Sequence, residues 1–221
     1  MATTSQIVNQ SLRHYVSPLL RKADFQTVDA RNGWHWRDKV ICVVNVRAVG
    51  NYFSGVTGWP PGSVNVSLGI LYPFVPHWTS IKRDKQGRLQ PKDHYCHMRT
   101  QLECGRDQTH LVQSLRNPAE RRRKDLWWID PEGRDAEEVA QDIAISLHKD
   151  GLPWFSRFSN LEVALEKFEA WSDSFNKFVI AAFLARELGD TERWQKYDSL
   201  AETEAQRIGK STDRNTWAVS N

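Results

Sequence analysis

The stretch "DHYCHMRTQLEC", Asp93 to Cys104, holds two cysteines and two histidines within twelve residues. Such groups serve three chemistries: metal binding, thiol catalysis and general acid–base catalysis. Structural zinc wants four Cys or His ligands at close spacings such as C-x2–4-C. Cys96 and Cys104 are separated by seven residues. His94, Cys96 and Cys104 on one side of a strand would span roughly 30 Å of extended chain, too far to close around one ion. No metal site is expected, and the cysteines read as small buried apolar groups. Thiol catalysis fares no better, because neighbouring Cys96 and His97 point to opposite faces of a strand. His97 with Asp93 or Glu103 could do acid–base work, although nothing in the spacing demands it. The chain has no Gly-rich phosphate loop, nucleophile elbow or HExxH motif, and no cofactor is expected.

Period two organises the stretch. His94, Cys96, Met98, Thr100, Leu102 and Cys104 form one row, and Tyr95, His97, Arg99, Gln101 and Glu103 the other. The first row reads as buried and the second as polar. Two more strands precede it. In "KVICVVNVRAV", residues 39–49, the even positions are apolar and the odd ones include Asn45 and Arg47. In "SVNVSLGILYP", Val64, Val66, Leu68 and Ile70 alternate with Asn65, Ser67, Gly69 and Leu71. If these strands are neighbours, Asn45, Arg47, Asn65, Ser67, His97, Arg99 and Gln101 share one sheet face with Glu103. That set could bind a ligand or a partner protein. A solvated face is also the default of an antiparallel sheet.

The remaining elements position these strands. Residues 5–20 carry Val8, Leu12, Tyr15, Val16 and Leu19 at helical spacing, with Ser5 as N-cap and Pro18 ending or kinking the helix. Residues 50–62, with four glycines and a Pro-Pro pair, read as loop. Residues 73–92 also read as loop, with a polar tip "KRDKQGR" that can turn a hairpin. "KDLWWID" reads as a short fourth strand. Asp135 and Glu138 resemble a capping box opening a helix that closes at Gly151. "LPWFSRF" reads as a connection, and Asn160 as the cap of a short helix. A helix with Phe175, Phe178, Val179, Ala182 and Phe183 along one side ends at Gly189. A last helix, capped by Thr191, completes an antiparallel pair.

The fold expected is therefore α+β: an antiparallel sheet of about four strands, flanking helices and a C-terminal helical hairpin. The division expected is an α+β domain over 1–170, the hairpin over 171–209 packed on it, and a tail over 210–221.

Composition narrows the partners. Forty per cent apolar and 26% charged residues suit a packed core. The opening "MATTSQIVNQSLRHYV" has no apolar run behind a basic flank, and no window of about 18 apolar residues occurs, so neither a signal peptide nor a membrane span is expected. Three cysteines in 221 residues point to a reducing cytoplasm. The net charge of +3 hides an asymmetry. Residues 1–125 hold 19 basic and 9 acidic residues, a net +10, and residues 126–221 hold 11 and 18, a net −7. The basic half could attract phosphate backbones or dock on the acidic half. "ERRRKDLWW" has the basic-plus-aromatic profile of a single-strand nucleic-acid binder, but the chain carries no recognisable nucleic-acid motif.

The order of a leading helix, "KADF", "VNVR", "VNVSLGI", "CHMRTQL", "LWWID" and "PWFSRF" resembles a bacterial domain-of-unknown-function family, number forty-three-oh-four, over roughly residues 5–170. "VNVSLGI" and "CHMRTQL" are the most specific pieces. The resemblance implies a single α+β domain with an antiparallel sheet. It implies no activity and no catalytic residues. Small bacterial families of this kind often lie beside toxin genes and act as immunity proteins. The function expected is thus a non-enzymatic protein-binding module of immunity or antitoxin type, whose acidic half masks a toxin or other protein. The alternatives are an enzyme or small-ligand binder using the face around His97 and Arg99, or a single-stranded nucleic-acid binder. The sequence names neither a partner nor an oligomeric state.

Overall fold

A computed structural model describes residues 3–77 and 79–213. Helix α1, Thr4–Lys22, opens with a capping box. Thr3, two residues before the expected Ser5, accepts from the Gln6 amide, and the Gln6 side chain accepts from the Thr3 amide. Val8, Leu12, Val16 and Leu20 form its buried stripe. Pro18 neither ends nor interrupts the helix. It lies on the exposed side with His14, where water can satisfy the carbonyl that loses its helical partner.

Five strands follow among the described residues: β1 Thr27–Val28, β2 Asn32–Trp36, β3 Ile41–Ala48, β4 Val64–Leu71 and β5 Met98–Gln101. They pair antiparallel in sequence order. The α+β class and its antiparallel sheet match expectation, but two strands differ. "NGWHW" of β2 lacks the β-branched alternation that marks β3 and β4. "KDLWWID" forms no strand, only a bridge in which the Trp127 and Val64 amides donate to each other's carbonyls. The third expected strand is also shorter. Asp93–Tyr95 is a tight 3-10 turn, and pairing starts at Met98.

The expected loop at 50–62 contains a short helix, α2 Asn51–Thr57, ended by Gly58 in the left-handed region. The polar tip does turn back on itself through a bridge between Arg83 and Leu89. Two single-turn helices, α3 Thr109–Val112 and α4 Pro118–Arg121, lead to α5, Ala136–Ser146. The capping box expected there is not made. Asp135 accepts from the Asp130 amide, and Glu138 pairs with Arg106. Nor does Gly151 end the helix. A wide turn at Leu147–Gly151 leads straight into α6, Leu152–Ser159. A Cβ on Gly151 would sit 3.1 Å from Leu147 and 3.3 Å from Leu68, so this glycine serves close packing.

Asn160 caps α7, Leu161–Glu169, as expected. Helices α8, Phe175–Leu188, and α9, Thr191–Arg207, form the C-terminal pair across Gly189. The cap of α9 is Asp190, whose carboxylate accepts from the Arg193 amide, rather than Thr191. Of the expected tail, residues 214–221 lie outside the described residues.

One apolar core joins α1, one face of the sheet and α5 to α9, from Val8 to Ala205. The hairpin therefore shares the core of the sheet. A second, smaller core of Trp34, Ile41, Val43, Leu71, Ile81 and Cys96 lies on the opposite face.

Candidate functional site

The strand register sets the site. On the face away from the main core, Asn32 pairs with Asn45, Asn45 with Ser67, and Ser67 with Gln101. This polar row crosses β2 to β5. Arg47 and Asn65 form the row beyond it. On the near side Trp34, Val43, Gly69 and Arg99 line up. The same face is thus apolar at one end, under the 73–97 segment, and polar at the other.

Gly69 makes that cover possible. A Cβ there would lie 2.6 Å from Cys96 Sγ and 2.8 Å from its Cβ. Without one, the Asp93–Cys96 turn lies flat on the sheet. That brings the buried Asp93 carboxylate onto the guanidinium of Arg47, which is 46% exposed. Arg47 also donates through Nε to Asn45 Oδ1 at 2.9 Å, and Asn45 donates to Asn32 at 2.5 Å. Arg99 differs. It is exposed, reaches only the His94 carbonyl at 3.4 Å, and has no carboxylate partner among the described residues.

These groups open on a cleft of about 820 Å³. Arg47, Ser67, His97, Arg99 and Gln101 line it, five of the seven residues singled out on the face. Asn45 lies behind Arg47, and Asn65 faces a separate groove of about 200 Å³ beside Phe53 and Arg123. Glu103 leaves the row past the end of β5 and lines other hollows. The far wall comprises Trp171, Asn176 and Ile180, from the α7–α8 connection and α8. Sequence reasoning missed them because nothing local links them to β5. Asp93 carried a faint signal, as an acid beside the cluster in a basic half, but its partner is Arg47 rather than His97.

His97 is not on an open polar face. It is 8% exposed and lies level with the ring of Tyr72, 6.0 Å between centroids. Its Nδ1 accepts from the Tyr72 amide at 3.1 Å, so the proton resides on Nε2, which donates to the Pro76 carbonyl at 3.3 Å. Burial pushes its pKa down to about 4, only partly offset by the Pro76 carbonyl. The neutral ring pins the chain leaving β4. Acid–base work from His97 would require breaking both bonds.

The buried row also splits. Met98 and Leu102 join the main core, while Cys96 joins the second core across the sheet. His94 is exposed beside Tyr95. Burial raises all three thiols: Cys42 to about 11, Cys104 to about 12, and Cys96 well above its usual value. All three are free. Among the described residues no group of three His, Cys, Asp or Glu side chains could hold a metal ion. Nor is any helix there long and apolar enough to cross a membrane.

The charge runs are largely answered close by. In "ERRRKDLWW", Arg123 pairs with Asp125 and Glu120, Arg121 donates to the Leu115 carbonyl, and Trp127 is fully buried with its indole on Asp142. Trp128 packs against Trp59. In the acidic half, Arg193 gathers Asp190, Glu162 and Glu169, and Arg207 holds Glu204. Lys39–Glu187 and the pairs of Arg106 with Asp135 and Glu138 cross between the halves.

No protein-family model matches this chain, and comparison with curated proteins and with solved structures finds no match either.

Proposed function

We propose that this protein is a non-enzymatic binding module that recognises an anionic group of its partner in the cleft beside β5. The observation that carries this reading is the convergence of Arg47, Ser67, Arg99 and Gln101 on one open cleft, with no carboxylate on Arg99 among the described residues. Asp93, which lines the same cleft, answers Arg47, so the Arg99 guanidinium, with Ser67 and Gln101 near it, is the group that suits a carboxylate or phosphate. What favours binding over catalysis is the state of the reactive groups. His97 spends both nitrogens on backbone, and burial raises the thiols.

An immunity or antitoxin role is the form this module takes in our reading, with a toxin or another protein as the partner. The resemblance to the bacterial family belongs to the same proposal, as does residence in the cytoplasm, where free thiols stay reduced. The site of masking moves from the acidic half to the cleft, because two hairpin carboxylates, Asp190 and Glu204, and Glu162 of α7 are already held by Arg193 and Arg207.

Thermal unfolding with added inorganic phosphate or citrate tests the cleft. The anion should raise the Tm of the wild type, and Arg99→Gln should reduce that rise at least about twofold. A rise identical in both proteins, or none in either, would count against the cleft.

A further inference from the structure

The cleft's lining shows what kind of partner fits. Arg99 and Gln101 project from the open face of β5, whereas Thr100 projects from the core face, level with Leu68. All three line one cleft, and so do Trp171 of the α7–α8 connection and Ile180 of α8, which belong to the helical layer on the core face. A single hollow touches both faces of a strand only where it wraps that strand's edge. β5 is the outer strand of the sheet.

The ladder gives the direction of the edge groups. The Leu102 amide donates to the Val66 carbonyl, so residues 98, 100 and 102 turn their main-chain groups toward β4. Arg99 and Gln101 occupy the alternate, non-hydrogen-bonded positions of the antiparallel ladder. Their N–H and C=O groups point outward. Among the described residues the one contact they make is a marginal 3.5 Å approach of Thr100 Oγ1 to the Gln101 carbonyl.

We infer that this edge takes an extended, acidic peptide segment of a partner protein as a sixth strand. The inference rests on the cleft reading above and names its ligand. Main-chain pairing to Arg99 and Gln101 supplies affinity, as in other cases of strand addition. Side chains of the added strand alternate. Those on the open face meet Arg99, so they are carboxylates. Those on the other face meet Trp171 and Ile180, so they are apolar. The segment recognised therefore alternates Asp or Glu with Val, Ile or Leu. Asp93 already answers Arg47, leaving Arg99 as the main charge contact. A second copy of this chain is a poor occupant, because β5 is four residues long and would set one Arg99 near another.

The test is fluorescence polarisation with a labelled Glu-Val-Glu-Ile-Glu peptide on the full chain. Controls are Lys-Val-Lys-Ile-Lys and the acidic peptide N-methylated on alternate amides. The acidic peptide should bind, while the lysine and N-methyl peptides should bind at least about tenfold more weakly. Gln101→Pro removes one outward N–H and no ladder bond, so it should fold, by circular dichroism, yet lose at least about tenfold in affinity. Arg99→Gln should lose a similar factor.

Equal binding of the N-methylated peptide overturns strand addition. So does a β5-dependent dimer in solution, or peptide binding that appears only after residues 214–221 are removed. If no peptide binds but phosphate still raises Tm through Arg99, the peptide inference fails and the cleft reading stands. If neither binds, both fail.

Discussion

The two faces of one sheet divide the labour of this protein. Toward the helices, β3 and β4 present Cys42, Val44, Val46, Val66, Leu68 and Ile70, all buried in the main core. One residue along, the same strands present Asn45, Arg47, Asn65 and Ser67. Period two makes every neighbour a change of face. The open face is itself divided. The 73–97 segment covers its apolar end with Ile81 and Cys96, and Gly69 lets that cover approach. The polar end stays open. A face whose apolar half is covered and whose polar half is not is half core and half candidate site. The difference between adjacent residues should therefore be measurable as stability on one side and recognition on the other.

The sharpest break of that contrast is Leu68→Ala. Leu68 is fully buried, and its loss leaves a cavity between β4 and the Leu147–Gly151 turn, costing ~2–5 kcal/mol in urea denaturation. Ser67→Ala, one residue away on the other face, should cost under ~1 kcal/mol. Equal costs would mean that both faces are core.

Acid is the next largest lever. His97 has a folded pKa of about 4, against about 6.5 for a free imidazole. Between those values the unfolded chain holds a proton that the folded chain refuses. The contribution is complete above pH 6.5 and is lost as pH falls toward 4, on the order of 3 kcal/mol in all. His97→Gln keeps an acceptor and a donor but cannot titrate. Its stability should fall less steeply over that window. The same slope in both proteins would place the acid sensitivity elsewhere. His35, also lowered chiefly by burial, titrates in the same direction and remains in both.

Much of the fold is legible in period and caps. β3 and β4 were delimited by alternation, and α7 by Asn160. The open-face row was legible too, because Asn45, Ser67 and Gln101 follow from parity once the strands are neighbours. What was not legible is non-local. His97 kept the parity of Arg99 but left the exposed face, because the Tyr72 amide and Pro76 carbonyl, 25 and 21 residues away, hold it. Cys96 lost the parity of Met98 because the chain turns before β5 begins. Trp171 and Ile180 reach the cleft through helix packing that no local pattern encodes. Gly151 and Asp135 carried the sequence signals of caps, which tertiary contacts overrode.

Gly69→Ala probes the seam between the covered and open ends. The added methyl would collide with Cys96, so the Asp93–Cys96 turn must lift, at ~1–3 kcal/mol. Lifting it should also loosen Arg47 from Asp93. Amide exchange at Asp93–Cys96 should therefore rise more than in β3. Uniform acceleration instead would show that the turn is not a separate cover.

The finest contrast is between two arginines on the same face. Arg47 compensates a carboxylate whose side chain is only 6% exposed, while Arg99 compensates none among the described residues. Arg47→Gln strands Asp93, at about 1–2 kcal/mol, below the cost of breaking a fully buried pair because Arg47 is half open to water. Adding Asp93→Asn should recover part of that loss, which a double-mutant cycle reads directly. Arg99→Gln should shift stability by under ~0.5 kcal/mol. A residue that costs nothing to fold yet whose loss weakens binding is present for the partner. If Arg99→Gln destabilises as much as Arg47→Gln, then Arg99 is structural, and the open end of the face loses its main claim to function.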